Sequence, residues 1–182
     1  MALSADLESP RAVVFDFDPG EPATIIECCQ IALAVRDVLA AVGMDGWPKT
    51  SGSKGLQLYV PLNTPCTHAA ASDFALAVGQ LLEQQMRNRV TTTMAKAVRP
   101  GKIFIDWSQN ARHKTTIGVY SMRARQEPTV STPVTWDEVA ACAEGAPLRF
   151  QWRDVLQRVE DLGDLFAPLL TTKQELPKPA TA

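Results

Sequence analysis

Short runs of β-favouring apolar residues alternate along this chain with longer stretches whose apolar positions recur at helical spacing. Residues 12–17 are apolar except Asp16 and run into the turn signal Pro19-Gly20, which predicts a buried strand. Ile25, Cys28, Cys29, Ala32, Val35, Leu39 and Val42 then share one helical face, with Gly43 as a stop, so a helix of about 20 residues is predicted. Residues 47–50 suit a short extended piece, 51–55 a turn, and 56–61 a strand leaving a hairpin. A second helix carries Phe74, Ala77, Val78, Leu81, Leu82 and Met86 and begins near Ser72. Residues 102–107 supply another strand, and 114–125 alternate enough for one more. The capping box Thr135-Trp-Asp-Glu138 opens a short helix through Cys142, and a last helix presents Trp152, Val155, Leu156, Val159, Leu162 and Phe166 on one face.

Strand, helix, hairpin, helix, strand is the β-α-β-β-α-β order of the split ferredoxin-like unit. The predicted class is therefore α/β (α+β): a mixed sheet on that unit with an extra C-terminal strand and helices. One domain covers 1–170, and 171–182, with Pro177 and Pro179, reads as a disordered tail. The 182 residues allow one globular core, and 46% hydrophobic with 21% charged content is ordinary for a water-soluble chain. No apolar run reaches the roughly 18 to 20 residues of a bilayer span and residues 1–10 lack a signal-peptide pattern, so a cytoplasmic chain with no membrane partner is expected. Cys28, Cys29, Cys66 and Cys142 have no Cys-x-x-Cys spacing and read as reduced thiols.

Net charge is only −2, but its distribution is uneven. Residues 87–125 hold nine of the 18 Lys and Arg against one acid, Asp106. Such a segment attracts polyphosphate or a nucleic-acid backbone; a merely solvated cationic face is the plainer alternative.

The acids carry the chemistry. In a strand, side chains two apart share a face, so Asp16 and Asp18 point one way while Phe15 and Phe17 point the other. Two carboxylates held together must share a proton or hold a cation, and oxygen donors suit Mg2+ or Mn2+. Solvated acids at the end of a short strand fit the same dipeptide spacing. In the ferredoxin-like order the first and last strands are neighbours, which brings Asp106 toward the pair. These strands run antiparallel, so the acids meet only if Asp106 sits well inside its strand. The stretch Thr50-Ser-Gly-Ser-Lys-Gly55 has two glycines, small hydroxyls and Lys54, which suit an anion cradle and equally a plain Gly-Ser turn. Taken together, the acids, the loop and the cationic segment describe metal-assisted phosphoryl transfer.

These residues also resemble a family. Phe15-Asp-Phe-Asp-Pro-Gly20, Thr50-Ser-Gly-Ser-Lys-Gly-Leu56, Asp106-Trp-Ser-Gln-Asn110, Lys114-Thr-Thr116 and Tyr120-Ser-Met-Arg123 are similar, in order and spacing, to the motifs of the polymerase domain of bacterial DNA ligase D, a branch of the archaeo-eukaryotic primase superfamily. The resemblance implies a primase-polymerase-like fold and a nucleotidyltransferase of DNA end-joining repair. It implies Asp16, Asp18 and Asp106 as ligands of manganese or magnesium, with a primer 3′-hydroxyl attacking the α-phosphate of an incoming nucleotide. It implies Ser51, Ser53, Lys54 and Arg123 at the triphosphate with Lys114 nearby, and Arg99, Gln109 and Asn110 near the primer terminus, DNA or nucleotide. The implied partners are nucleoside triphosphates (ribonucleotides preferred), DNA ends or primer-template, the bridging protein Ku and a DNA ligase, at the nucleoid within the cytoplasm.

Two departures accompany the likeness. Gln57 stands where the family has a phosphate-binding histidine, and glutamine donates a hydrogen bond without charge, so weaker nucleotide binding is expected. Only ten residues precede Arg11 where the family has an amino-terminal region that grips a DNA 5′-phosphate; the expectation is loss of that grip and an apolar surface left for a partner. His68 reads as covering a helix start and His113 as a phosphate contact; Trp107 and Tyr59 suit packing better than base stacking. The competing classes are a non-catalytic nucleotide or DNA-end binding module that needs a partner chain, and a metal-dependent phosphohydrolase on the same acids.

Overall fold

The computed structural model describes residues 7–177. Strand β1 (Ala12–Pro19) leads into α1 (Ile25–Ala41), whose start is fixed by a capping box in which Thr24 Oγ1 accepts from Ile26 N at 3.2 Å and Thr24 N donates to Glu27 at 2.7 Å. The hairpin strands β2 (Trp47–Thr50) and β3 (Leu56–Pro61) follow, then α2 (His68–Gln85), β4 (Val90–Thr91) and β5 (Ile103–Asp106). A small ribbon, β6 (Met122–Arg123) with β7 (Thr129–Val130), precedes α3 (Trp136–Ala143) and α4 (Trp152–Leu162). The main sheet has the order β2-β3-β1-β5-β4, with β1 antiparallel to both neighbours and β4 parallel to β5. This is the expected mixed α/β sheet on a ferredoxin-like unit, extended by one short strand.

The alternation of β1 sorts the two faces. Val13, Phe15 and Phe17 join Leu58, Val60, Ile103 and Ile105 in the main core against α1 and α2, where Cys28, Ile31, Val35, Ala75 and Val78 are buried. At roughly 25 cal/mol per Å2 of apolar area removed from water, this layer supplies most of the drive to fold. On the opposite face Ala12, Val14 and Tyr59 pack under Phe166 as a small second cluster. Further along the same face the residues become polar, and there the sheet opens.

Several elements differ from the sequence reading. Helix α2 begins at His68, because Thr67 Oγ1 caps Ala70 N at 3.1 Å five residues before Ser72. The strand expected over 114–125 shrinks to Met122–Arg123. The stripe of α4 faces outward: only Val155 is buried, while Trp152, Leu156, Val159 and Leu162 are exposed. Residues 171–177, expected within a disordered tail, are tied down. Gln174 N donates to Leu62 O at 2.8 Å, its side chain pairs with Asp45 and Pro61, and Leu176 packs on the core. The remainder of that tail, 178–182, lies outside the described residues. Among the described residues no helix is long and apolar enough to cross a membrane, and Cys28, Cys29, Cys66 and Cys142 are free thiols.

Candidate active site

One line of register assembles the site. Asp16 lies opposite Asp106 on β5 and opposite Gln57 on β3, and Gln57 lies opposite Lys49 on β2. Cross-strand partners share a face, so Lys49, Gln57, Asp16 and Asp106 form a polar row across four strands, with Asp18 two residues further along β1 on the same side. The antiparallel geometry is resolved because Asp106, although the last residue of β5, meets Asp16 well inside β1.

Two glycines let the flanking loops close on the end of β1. A Cβ at Gly20 would collide with the Arg99 carbonyl, and Gly20 N donates to Lys102 O at 2.9 Å, so the turn bearing Arg99 is stapled beside Asp18. A Cβ at Gly55 would collide with Phe17 O, which brings the 51–55 loop down on the other side. The resulting cleft, about 400 Å3, is lined by Asp16, Asp18, Ser51, Ser53, Lys54, Gln57, Arg99 and Arg123, with Thr115, Thr116 and Ile117 closing one wall. In the loop Ser51 Oγ accepts from Ser53 N and Gly55 N, each at 3.2 Å, which fixes a tight turn. Lys54 Nζ is paired with Glu21 at 2.7 Å, and Ser53 is held by Arg125.

Within the cleft the two acids of β1 are desolvated and close together. Burial pushes the Asp16 carboxyl up to about 7, reinforced by Asp18 and Asp106 and opposed by the 3.1 Å bond from Gln57 Nε2 and by Lys49. Asp18 is exposed, yet its recess strips enough water, with Asp106 nearby, to raise its carboxyl too; Arg99 works against that. Asp106 is buried and fully engaged: Ser108 N (3.0 Å) and Ser108 Oγ (2.6 Å) donate to Oδ1, and Gln109 Nε2 (3.0 Å) to Oδ2. The three acids therefore share one face without being gathered. Among the described residues no group of three or more His, Cys, Asp or Glu is placed to hold a metal ion.

The donor set still fits a hard divalent cation. Asp16 and Asp18 are oxygen donors whose raised carboxyls mark unmet negative charge, and Asp106 faces them across the ladder. Three buried polar atoms at the site, Gln57 Oε1, Gln109 Oε1 and Arg99 Nε, have no hydrogen-bond partner in the protein.

Other expected residues are distributed differently. Asn110 is committed to the fold: its Oδ1 accepts from Val14 N at 2.8 Å and its Nδ2 donates to Val14 O at 2.9 Å, continuing the ladder where β5 has ended. Its amide side chain therefore serves the fold, a role the motif did not suggest. Lys114 lies in a neighbouring recess with His68, Gln109, Arg112 and His113 rather than in the main cleft. The cationic segment is likewise divided, since Arg87 and Lys102 line a separate depression with Gln80, Glu83 and Gln84. His68 Nδ1 meets Asn110 O at 2.9 Å at the start of α2. Tyr59 and Trp107 are packing residues, with the Tyr59 hydroxyl 2.6 Å from Thr116 Oγ1 and Trp107 Nε1 donating to Thr92 O at 3.2 Å. Sequence reasoning missed Lys49, Thr115, Ile117 and Arg125. Only Lys49 carried a usable signal, standing opposite Gln57 once the hairpin is drawn.

A ferredoxin-like sheet with an acid-bearing ladder, a glycine-serine-lysine loop and flanking arginines around one cleft defines an α/β domain of the primase-polymerase class. The family model for the LigD primase-polymerase domain matches residues 1–166, and the chain belongs to that family. It is 51% identical over 157 residues to the multifunctional non-homologous end joining protein LigD of Mycolicibacterium smegmatis, covering 86% of this chain and 20% of that protein. Over the same length it is 46% identical to the LigD of Mycobacterium tuberculosis. The solved polymerase domain from Mycobacterium tuberculosis Ligase D in complex with DNA superposes with a TM-score of 0.83 at 45% identity, over 88% of this chain and 55% of that one. The chain thus spans about a fifth of the length of the curated relatives it matches.

Proposed function

We propose that this chain is a metal-dependent nucleotidyltransferase that adds nucleotides to a primer 3′-hydroxyl at DNA ends during non-homologous end joining. The observation that carries the reading is the pair Asp16 and Asp18 in a cleft walled by Lys54, Arg99 and Arg123, with Asp106 opposite Asp16 on the neighbouring strand. Carboxylates below and cations around are the distribution a nucleoside triphosphate needs.

Asp16 and Asp18 would hold Mn2+ or Mg2+, with Asp106 completing the set from β5; the ion would neutralise phosphate charge and acidify the attacking hydroxyl. The remaining work belongs to the chain's own side chains. Arg123 and the 51–55 loop orient the triphosphate, Ser51 and Ser53 offering hydroxyls and Lys54 a charge once a phosphate displaces Glu21. Gln57 donates to Asp16 and fixes its carboxylate, but as a neutral group it adds no charge toward phosphate. Arg99 and Gln109 border the path to the primer terminus, and Lys114 with His113 and Arg112 would engage the nucleic-acid backbone from the adjoining recess. Ribonucleotides as preferred substrates, and Ku and a DNA ligase as partners, belong to the same proposal. Support comes from the family membership and from the relatives' names as end-joining proteins.

The test is primer extension with manganese and labelled ribonucleotides. The wild-type chain should extend the primer and Asp16→Ala should not. Nucleotide binding indifferent to metal, without any extension, would instead mark a binding module.

A further inference from the structure

The described part of the molecule contains one fully buried lysine, and the proposed chemistry does not use it. Lys49 is 0% exposed and its ammonium has one hydrogen-bond partner in the protein, Ser131 Oγ at 2.6 Å. Burying an ammonium costs several kcal/mol unless its surroundings return it, so its presence calls for a reason.

Its surroundings supply one. Lys49 donates to Ser131 Oγ, and that hydroxyl donates onward to Thr50 O at 2.9 Å. This relay ends on the residue that opens the 51–55 loop. The segment around Ser131 is laid along the free edge of β2: Thr50 N donates to Thr132 O at 2.8 Å, Val134 N to Pro48 O at 3.1 Å, and Thr129 Oγ1 to Gly52 O at 2.6 Å. The same segment includes β7, whose partner strand β6 carries Arg123 into the cleft. A Cβ at Gly52 would come within 2.9 Å of Arg123 Cγ, so loop and arginine touch at this seam. The two arms that would grip a triphosphate, the Ser51 and Lys54 loop and the Arg123 ribbon, therefore meet at a seam in which Lys49 holds the Ser131 hydroxyl. The ammonium also stands at the end of the ladder that runs through Gln57 to Asp16, and it sits 5.5 Å from the centre of the Tyr59 ring.

We propose that Lys49 is a positioning residue of the nucleotide site, setting the separation between the 51–55 loop and Arg123 through Ser131 and balancing Asp16 along the ladder; this rests on the nucleotidyl-transfer reading above. Burial pulls the amine down to about 7, with Asp16 opposing that fall and Arg123 adding to it. A residue kept only for packing would be replaced by methionine without loss of nucleotide affinity, since the apolar chain has a similar length and fills the same space.

The test uses the full chain with Lys49→Met, Ser131→Ala and the double variant. Affinity for a fluorescent ribonucleoside triphosphate is titrated in Mn2+, melting is followed by circular dichroism, and primer extension yields kcat and KM. Lys49→Met should remain cooperatively folded, bind the nucleotide about tenfold more weakly and raise KM by the same factor with kcat little changed. Ser131→Ala should give part of that loss, and the double variant no more than Lys49→Met alone, because both act through one relay. Wild-type affinity in a well-folded Lys49→Met, or additive losses in the double variant, would overturn the proposal. If the wild-type chain binds nucleotide but extends no primer, the nucleotidyl-transfer reading fails while the titration still decides the role of Lys49. If it binds no nucleotide, both fall.

Discussion

Replacing Asp16 with asparagine should make the metal-free protein more stable while abolishing its activity. The carboxyl ordinarily titrates at 3.8 and is pushed up to about 7 in the fold, chiefly by burial. Between those values the folded chain holds a proton that the unfolded chain has released, so stability declines as pH rises from about 4 to about 7 and then levels off. Three pH units at 1.36 kcal/mol each put the cost of the ionised form near 4 kcal/mol above pH 7, net of the bond from Gln57 and the attraction to Lys49. Asparagine keeps the shape and an oxygen for Gln57 Nε2, but it never ionises. For a chain of this size a gain of up to about 4 kcal/mol corresponds to roughly 8 to 16 °C in melting temperature. Thermal melts in EDTA at pH 4.5 and pH 8 read it directly. The gain should be small at pH 4.5 and largest at pH 8. An equal gain at both values, or a loss at pH 8, would show that the Asp16 carboxylate is not desolvated in the cleft.

Other consequences follow from the same geometry. Asn110→Ala strips the partners from Val14 N and O and should cost about 3 kcal/mol, seen as a lower urea midpoint with an unchanged slope. Gly55→Ala should destabilise by about 2 kcal/mol or more and weaken nucleotide binding, because its methyl group meets Phe17 O and lifts the loop from β1; melting and nucleotide titration read the two effects. Glu21→Gln releases Lys54 and should tighten triphosphate binding about two- to fivefold at low salt, an advantage that fades at high salt.

Much of this was legible in the sequence because it is local. The parity of β1 dictates that Asp16 and Asp18 share a face, and helical spacing located α1 within a residue or two of its ends. The order of elements brought Asp106 beside β1, but the register that sets it opposite Asp16 depends on strands about 90 residues apart and leaves no local mark. Asn110 shows the limit of motif reasoning. It belongs to the motif that begins with Asp106, yet its amide serves the backbone of Val14. Lys49 shows another, since a lysine in a four-residue strand reads as an exposed edge until the segment around Ser131 covers it. The outward stripe of α4 has the periodicity of a buried helix, and periodicity alone does not say which side the rest of the chain occupies. The two residues of β4 are too few to show any period.

Acids on two neighbouring strands are proposed to act as one cation site with bound nucleotide, and in the structure Asp106 is turned toward Ser108 and Gln109. Titration of Mn2+ by electron paramagnetic resonance, with a ribonucleoside triphosphate bound, tests this most directly. Wild type should take up Mn2+ beyond what the nucleotide alone carries, and both Asp16→Asn and Asp106→Asn should lose it. Undiminished Mn2+ uptake in both variants would contradict the shared cation site.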